Sequence, residues 1–426
     1  MNKEKTQNTS VIPKELSIKL LITLGILILV RLGTFIPVPD IDQEYLSNFL
    51  KNSSIAGFLN TFSGGSTFVI GLFTLNIFPY INASILMQIL VSTVPDLQKL
   101  QKEEGSPGRQ KITQITRLLS LGWAIIQSST IAFFLKNVLF DWDLNLAFQI
   151  IVCLTTGSMV VMWLSELITE YGIGNGASLL IFTNIVSNLP NLTKNLLNNN
   201  EVVLTSQLVG IIFSIFVVAI SGIVYLQEGI RMVPLVSSKE LNVTKNRFSD
   251  ELDTTNYIPL RLNQAGVMPI IFTATLLVLP AYLLNSGILP PIDLKLFDGI
   301  FKILYWVFYF SLILGFSYFY STIILNPKDI SNDLRKMAVT VPGIKPGEPT
   351  TYFFKETMKR VTFIGAIFLA TIATLPNIIE TLLNVSSLKG LGTTSLLILV
   401  GVTIDTTREI RSIVLSNIYK GMIESK

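Results

Sequence analysis

Residues 55–94 read IAGFLNTFSGGSTFVIGLFTLNIFPYINASILMQILVSTV. From Phe68 to Val94 no acidic or basic residue occurs. About 20 such residues cross a bilayer as a helix, so this run is a membrane span. The stretch before it behaves differently. Ile55–Phe62 has helical apolar spacing but is too short to cross, and Gly64-Gly65 then breaks it, because paired glycines accept positive φ and end helices. Two readings stay open: a half-helix folded into a cavity lined by protein or water, or an interfacial surface helix. Inside the span lie Asn76, Pro79 and Asn82. Proline frees a carbonyl and kinks a helix, and asparagine is costly in lipid unless it faces protein or water. The expectation is a kinked, polar-faced helix lining a lumen or a helix interface.

The rest of the chain extends this pattern. Its 426 residues are 50% hydrophobic and 14% charged, and the mean hydropathy is +0.58. Soluble domains carry about 25% charged residues, so this chain requires lipid as solvent. The pattern predicts ten spans: Ile18–Ile36, Phe68–Val94, Leu118–Leu135, Ala147–Leu167, Ala177–Leu189, Leu208–Leu226, Ala265–Leu284, Ile303–Leu325, Val361–Ile379 and Leu391–Ile404. The first is too long for a signal peptide, contains Arg31 and has no small-residue cleavage site after it, so it is read as retained.

Lysine and arginine set the orientation. Of 32 basic residues, 25 fall on the side of the N-terminus (Lys19 counted with it), the C-terminus and the loops 95–117, 166–175, 227–262 and 326–360; six fall on the other side. Both ends are therefore expected on the cytoplasmic or stromal side. Five spans per half place the second half in inverted topology, as in many transport proteins. The expected organisation is a basic-side segment (1–17), a first half (18–190), a joining loop (191–205), a second half (206–405) and a basic-side tail (406–426). The fifth and tenth spans are the shortest, and a matched short pair points to a working centre.

Several chemistries drop out. There is no histidine and one cysteine, Cys153, so His-based catalysis, disulfides and thiolate zinc sites are excluded. No GxxxxGK[ST] loop occurs, and Gly172-Ile173-Gly174-Asn175-Gly176 is a tight turn into a helix rather than a GxGxxG phosphate fingerprint. Apart from Arg31 the spans carry almost no ionisable residue, which favours a conduit over an ion-coupled pump. No cofactor, metal or enzymatic step is implied. The 326–360 loop holds seven basic residues against four acidic ones and the sequence Val341-Pro342-Gly343-Ile344-Lys345-Pro346-Gly347. A rigid basic turn suits docking to RNA or an acidic protein face; it equally suits a positive-inside anchor. The 227–262 loop is charge-balanced.

These residues resemble the SecY family, the channel subunits of the Sec protein translocase. The resemblance rests on Phe62-Ser63-Gly64-Gly65, Ile77-Phe78-Pro79-Tyr80-Ile81-Asn82-Ala83-Ser84, Glu170-Tyr171 with the glycine turn, Asn263-Gln264-Ala265-Gly266-Val267-Met268-Pro269, Asn326-Pro327, the 341–347 turn and Gly392-Thr393-Thr394-Ser395-Leu396-Leu397-Ile398. They run collinearly over about residues 20–405. Gln101-Lys102-Glu103-Glu104-Gly105 and Gly122-Trp123-Ala124-Ile125-Ile126-Gln127-Ser128 look most like the cyanobacterial and plastid branch.

The resemblance implies an all-α membrane protein of two inverted five-helix halves around a pore, passing unfolded polypeptide and releasing apolar segments sideways into lipid. It implies a pore ring of Ile77, Ile81, Ile173, Ile181, Ile271 and Ile398, and a plug at about 54–67 with Phe58, Phe62, Gly64 and Gly65. It also implies a lateral gate of spans two and three against seven and eight, with Gln88 and Gln127 as lining candidates. Lys336, Lys345 and Lys355 fall in the family's docking region for the SecA motor or the ribosome. Implied partners are a SecE-type subunit, a third SecG-type subunit and secretory preproteins, with no direct DNA binding. Two departures stand out: Lys345 where the family usually has arginine, and Asn76 where it usually has glycine. The branch points to a plastid thylakoid membrane, with a bacterial plasma membrane as the alternative; the first 17 residues do not read as a transit peptide. A secondary transporter of small solutes is the competing function, and would need a discrete polar site at the midplane.

Overall fold

The structure is a computed structural model that describes residues 14–38, 71–102, 105–135, 143–198, 206–237, 256–264, 266–273, 276, 298–383 and 393–424. Two compact units emerge from the packing. The first contains α1 (Lys14–Gly33), α2 (Phe78–Thr93), α3 (Pro95–Lys102), α4 (Gly105–Leu135), α5 (Leu144–Tyr171) and α6 (Gly176–Asn198). The second contains α7 (Ser206–Glu228), strands β1 (Ile230–Pro234), β2 (Val236–Ser237) and β3 (Tyr257–Arg261), then α8 (Asp298–Ile324), α9 (Pro327–Lys336), β4 (Val339–Thr340) and α10 (Glu348–Leu383). The last helix, α11 (Thr393–Glu424), gives its residues up to Gly401 to the second unit and those from Val402 to the first.

Among the described residues, four runs are long and apolar enough to cross a membrane: Lys14–Gly33, Leu144–Tyr171, Trp306–Lys336 and Glu348–Thr374. Phe78–Thr93 with Pro95–Gln101 passes the same test as a pair bent by 104°. Gly176–Ser187 and Phe216–Glu228 are shorter apolar helices. The outward side of α1 shows why lipid is needed. Ile18, Leu21, Leu24, Ile28 and Leu32 are each more than half exposed, a continuous apolar stripe that no water-soluble surface would carry.

In the first unit α5 is the hub, packing on α1, α4 and α6. Its buried residues include Gly157, Ser158, Val161, Met162, Leu164, Ser165 and Ile168. Small residues let backbones approach closely where lipid supplies no hydrophobic drive between helices. Polar side chains add links to α4: the Ser128 and Thr155 hydroxyls are 3.0 Å apart, Ser120 Oγ donates to Met162 Sδ at 3.1 Å, and Arg117 grips Glu166 with two N–H groups at 2.9 and 2.8 Å.

One expectation changes. Pro79 does not kink the second span: the helix begins at Phe78, so the proline sits in its first turn, where no N–H is needed. The sharp bend comes instead at Val94-Pro95, where the residue before proline is extended (ψ 115°) and ends α2. The fifth apolar run is short as expected, Gly176–Ser187, but it and the tenth lie within longer helices. α6 has 23 residues, continuing through Pro190, and α11 has 32; apolarity ends before helicity does.

Candidate functional site

The segment 71–77 is held in turns between α1 and α5. Leu72 N–H donates to Ile36 O at 2.8 Å, Thr74 Oγ1 to Gly71 O at 2.7 Å and Asn76 N–H to Phe73 O at 2.9 Å. A side chain at Gly157 would collide with the Leu72 carbonyl, so the middle of α5 presses directly on this segment. Asn76 ends it with φ +48°, a left-handed conformation that glycine adopts freely and asparagine tolerates better than most residues. The departure from the family's glycine thus has a backbone explanation. Ser158 Oγ of α5 donates to the Asn76 carbonyl at 3.0 Å and fixes the turn.

Ile77, at the helix N-cap, is fully buried, and Ile81 follows one turn later at 5% exposure, its N–H donating to Ile77 O at 3.1 Å. The two isoleucines therefore share a helix face. Both polar atoms of the Asn76 amide are buried without a hydrogen-bond partner among the described residues. Asn76→Gly removes that burden and the left-handed cost. It is expected to stabilise the protein by about 1 kcal/mol, read as a raised Tm in detergent, whereas Asn76→Ala keeps the strain and should not.

The glycine turn behaves as its spacing predicts. Gly174 has φ +80°. Asn175 caps α6, its Oδ1 accepting from Ser178 N–H at 3.2 Å, and Thr169 Oγ1 accepts from Gly176 N–H at 2.9 Å. A side chain at Gly176 would strike the Ser165 carbonyl, so α6 starts hard against α5. Ile173 lies on this turn rather than in a helix; it is buried, and its N–H donates to Thr23 Oγ1 of α1 at 3.0 Å. Ile181 sits half-buried on α6. These four candidates belong to the first unit, with Ile77 and Ile81 one helical turn apart.

The other two ring candidates belong to the second unit. Ile271 lies in a helical segment at 268–273 and is half-buried; Ile398 lies near the start of α11 and is buried. Gln88 on α2 and Gln127 on α4 are each half-buried, on two helices that pack along one another. Phe58, Phe62, Gly64 and Gly65, and with them the whole plug stretch, lie outside the described residues.

The described parts of the loops 227–262 and 326–360 fold together. β1 pairs with β3 antiparallel, with Val233 opposite Ile258 and Arg231 opposite Leu260. β2 pairs with β4. Val233, Leu260, Leu334, Val341, Phe354 and Met358 form one buried cluster beneath them. The 326–360 stretch is therefore mostly regular structure: α9, β4 and the first turns of α10.

The turn between β4 and α10 is rigid for identifiable reasons. Ile344 N–H donates to Val341 O at 3.1 Å around Pro342-Gly343, with Gly343 at φ +79°, the signature of a type II turn. Thr350 Oγ1 donates to Lys345 O at 2.8 Å, and Ser331 Oγ of α9 donates to Gly347 O at 2.9 Å. Lys345 is thereby presented, exposed, on a fixed backbone. Lys336 and Lys355 are exposed as well, and Lys336 makes a solvent-exposed 3.5 Å pair with Asp333. The joining of the loops is hidden from sequence reading because β2–β4 links residues more than 100 positions apart in the chain. Alternation in Ile230–Pro234 and Tyr257–Arg261 was the available signal.

Fold and site together define a helical membrane protein with branched aliphatic residues at helix starts and a folded basic platform. The SecY family model matches residues 71–407. The protein translocase subunit SecY of Trieres chinensis is 56% identical over 95% of this chain and 97% of its own length. That of the cyanobacterium Synechocystis is 45% identical over 95% and 94%. Among solved structures, a SecY structure addressing how the plug domain stabilises the closed channel aligns with TM-score 0.65 at 18% identity, covering 93% of this chain and 92% of that one. Canine Sec61 in a ribosome-channel complex aligns with TM-score 0.58 at 18% identity over the same shares. The chain belongs to the SecY family, the protein-conducting channel subunits of the membrane translocase. Nothing in these comparisons favours the solute-transporter alternative.

Proposed function

We propose that this chain forms, from ten spans in two inverted halves, the conduit for unfolded polypeptide in a thylakoid translocase. Ile77, Ile81, Ile173, Ile181, Ile271 and Ile398 form its constriction. The observation that carries this reading is the start of α2: the 71–77 turn is wedged against α5 and delivers Ile77 and Ile81 in register on one face. Branched aliphatic side chains can close around a chain of varied shape and dewet the empty gap. The stretch 54–67 is the plug. Spans two and three, carrying Gln88 and Gln127, form one side of the lateral gate, and spans seven and eight the other.

The platform bearing Lys336, Lys345 and Lys355 docks the SecA motor or a ribosome, with SecE-type and SecG-type subunits completing the assembly. The relatives from an alga and a cyanobacterium, and the ribosome-bound state of the canine neighbour, support these assignments. Energy comes from the docked partner, and this chain breaks no bond. The test is a photocrosslinker at Ile81 or Ile398 with a preprotein stalled in transit. Crosslinks at both positions are expected; labelling only at outward positions such as Leu21 would refute the conduit.

A further inference from the structure

The entrance to the seventh span is held by polar contacts that the conduit role does not require. Leu262 N–H donates to Gly229 O at 2.9 Å, tying the segment to the end of α7. A side chain at Gly365 would strike the Leu262 carbonyl, so the segment rests directly on α10. Asn263 Nδ2 donates to Gly266 O at 2.9 Å and closes the turn, with Gly266 at φ +63°. Next comes Gln264. Its Oε1 accepts from Ser321 Oγ of α8 at 3.0 Å, and Ser321 Oγ lies 2.7 Å from Thr362 Oγ1 of α10. Ser321 has one proton and gives it to Gln264, so Thr362 is the donor to Ser321. The chain of donors runs Thr362 to Ser321 to Gln264 across three elements. Ser321 and Thr362 are 3% and 4% exposed. One turn into the following helical segment, Phe272 meets Phe316 of α8 edge-on, 4.3 Å between ring centres.

We infer that Gln264 is a positioning residue that makes the start of the seventh span one rigid body with α8 and α10. Gln264 Nε2 is buried with no partner among the described residues, a desolvation cost that leucine would avoid. A polar group kept at such a cost specifies a position rather than adding stability. The consequence concerns gating. The inference rests on the gate assignment above: spans seven and eight move together, and the opening lies between them and the other gate helices rather than within this pair.

The test places spin labels at Met268→Cys and Tyr318→Cys in the full-length chain, with Cys153→Ser as background. The expected result is one narrow distance distribution, the same in resting channels and in channels holding a stalled preprotein. Gln264→Leu and Thr362→Val should each split it into two populations. Their combination should do no more than either alone, because they break one network. Thr362→Ser, which keeps the hydroxyl, should restore the single population. A shift in the unsubstituted distance on stalling, or a single population in Gln264→Leu, overturns the inference. Failure of the gate assignment has its own readout, the absence of preprotein crosslinks at Gln88 and Gln127, which leaves the 268–318 distance unaffected.

Discussion

Glycine in place of Ile81, of Ile398, or of both is expected to raise the small-ion conductance of resting channels without preventing assembly. Each isoleucine is almost fully buried, at 5% and 8% exposure. Removing such a side chain forfeits about 2 kcal/mol of apolar contact. If that contact holds the gap dry, the wet, conducting population rises on the order of tenfold or more per site, since 1.4 kcal/mol is tenfold. The double substitution should leak more than either single one. Ile81→Leu and Ile398→Leu preserve apolar volume and should stay close to wild type. Planar-bilayer conductance decides the matter, and wild-type conductance in the double glycine variant removes these residues from the seal. Neither substitution touches the 71–77 turn or its bond from Ser158, so the fold should survive.

The second large effect is expected at Lys345. Its backbone is held by the Pro342-Gly343 turn and by the bonds from Thr350 and Ser331, and its ammonium is exposed. Lys345→Glu should impair partner-driven export more than Lys295→Glu, which lies in a loop assigned to the opposite side. Losing one exposed charge contact costs up to about 1 kcal/mol, and reversing the charge adds repulsion of similar size. Docking should therefore weaken roughly ten- to thirty-fold, with the defect growing as salt is lowered, because the added repulsion is then less screened. Lys345→Arg restores the planar fork usual in the family and should dock at least as well as lysine. Export assays in membrane vesicles measure all three variants, and equal defects in Lys345→Glu and Lys295→Glu would end the docking assignment.

Much of the fold was legible along the chain because hydropathy is a local property. A long apolar run in lipid favours a helix that satisfies its own backbone, although in the run 68–94 the helix begins at Phe78. Segments around Leu144–Tyr171 and Lys14–Gly33 follow from that alone. The glycine turn before α6 was legible for a similar reason: Gly174 needs positive φ, and Asn175 is a strong cap. Pro79 was misjudged because the same residue kinks a helix from its interior and starts one from its first turn. Which role it plays depends on whether residues 71–77 are helical, and Gly157 of α5, far along the chain, decides that by pressing on Leu72.

The low charge that marks this chain as a membrane protein, the clustering of its lysines and arginines between apolar runs and the collinear motifs of its family are all sequence properties. They depend on residues and their neighbours, and no tertiary contact can alter them. The rest needed contacts between distant residues. The left-handed Asn76 is held by Ser158, which donates to its carbonyl. The loops 227–262 and 326–360 become one platform only through the pairing of β2 with β4 and the apolar cluster they share. Gln264 acquires a role only when Ser321 and Thr362 meet it. These hydrogen-bonded contacts join residues from 41 positions apart (Ser321 and Thr362) to 104 apart (Val236 and Thr340), and a pattern read locally holds no record of which partner a side chain will find.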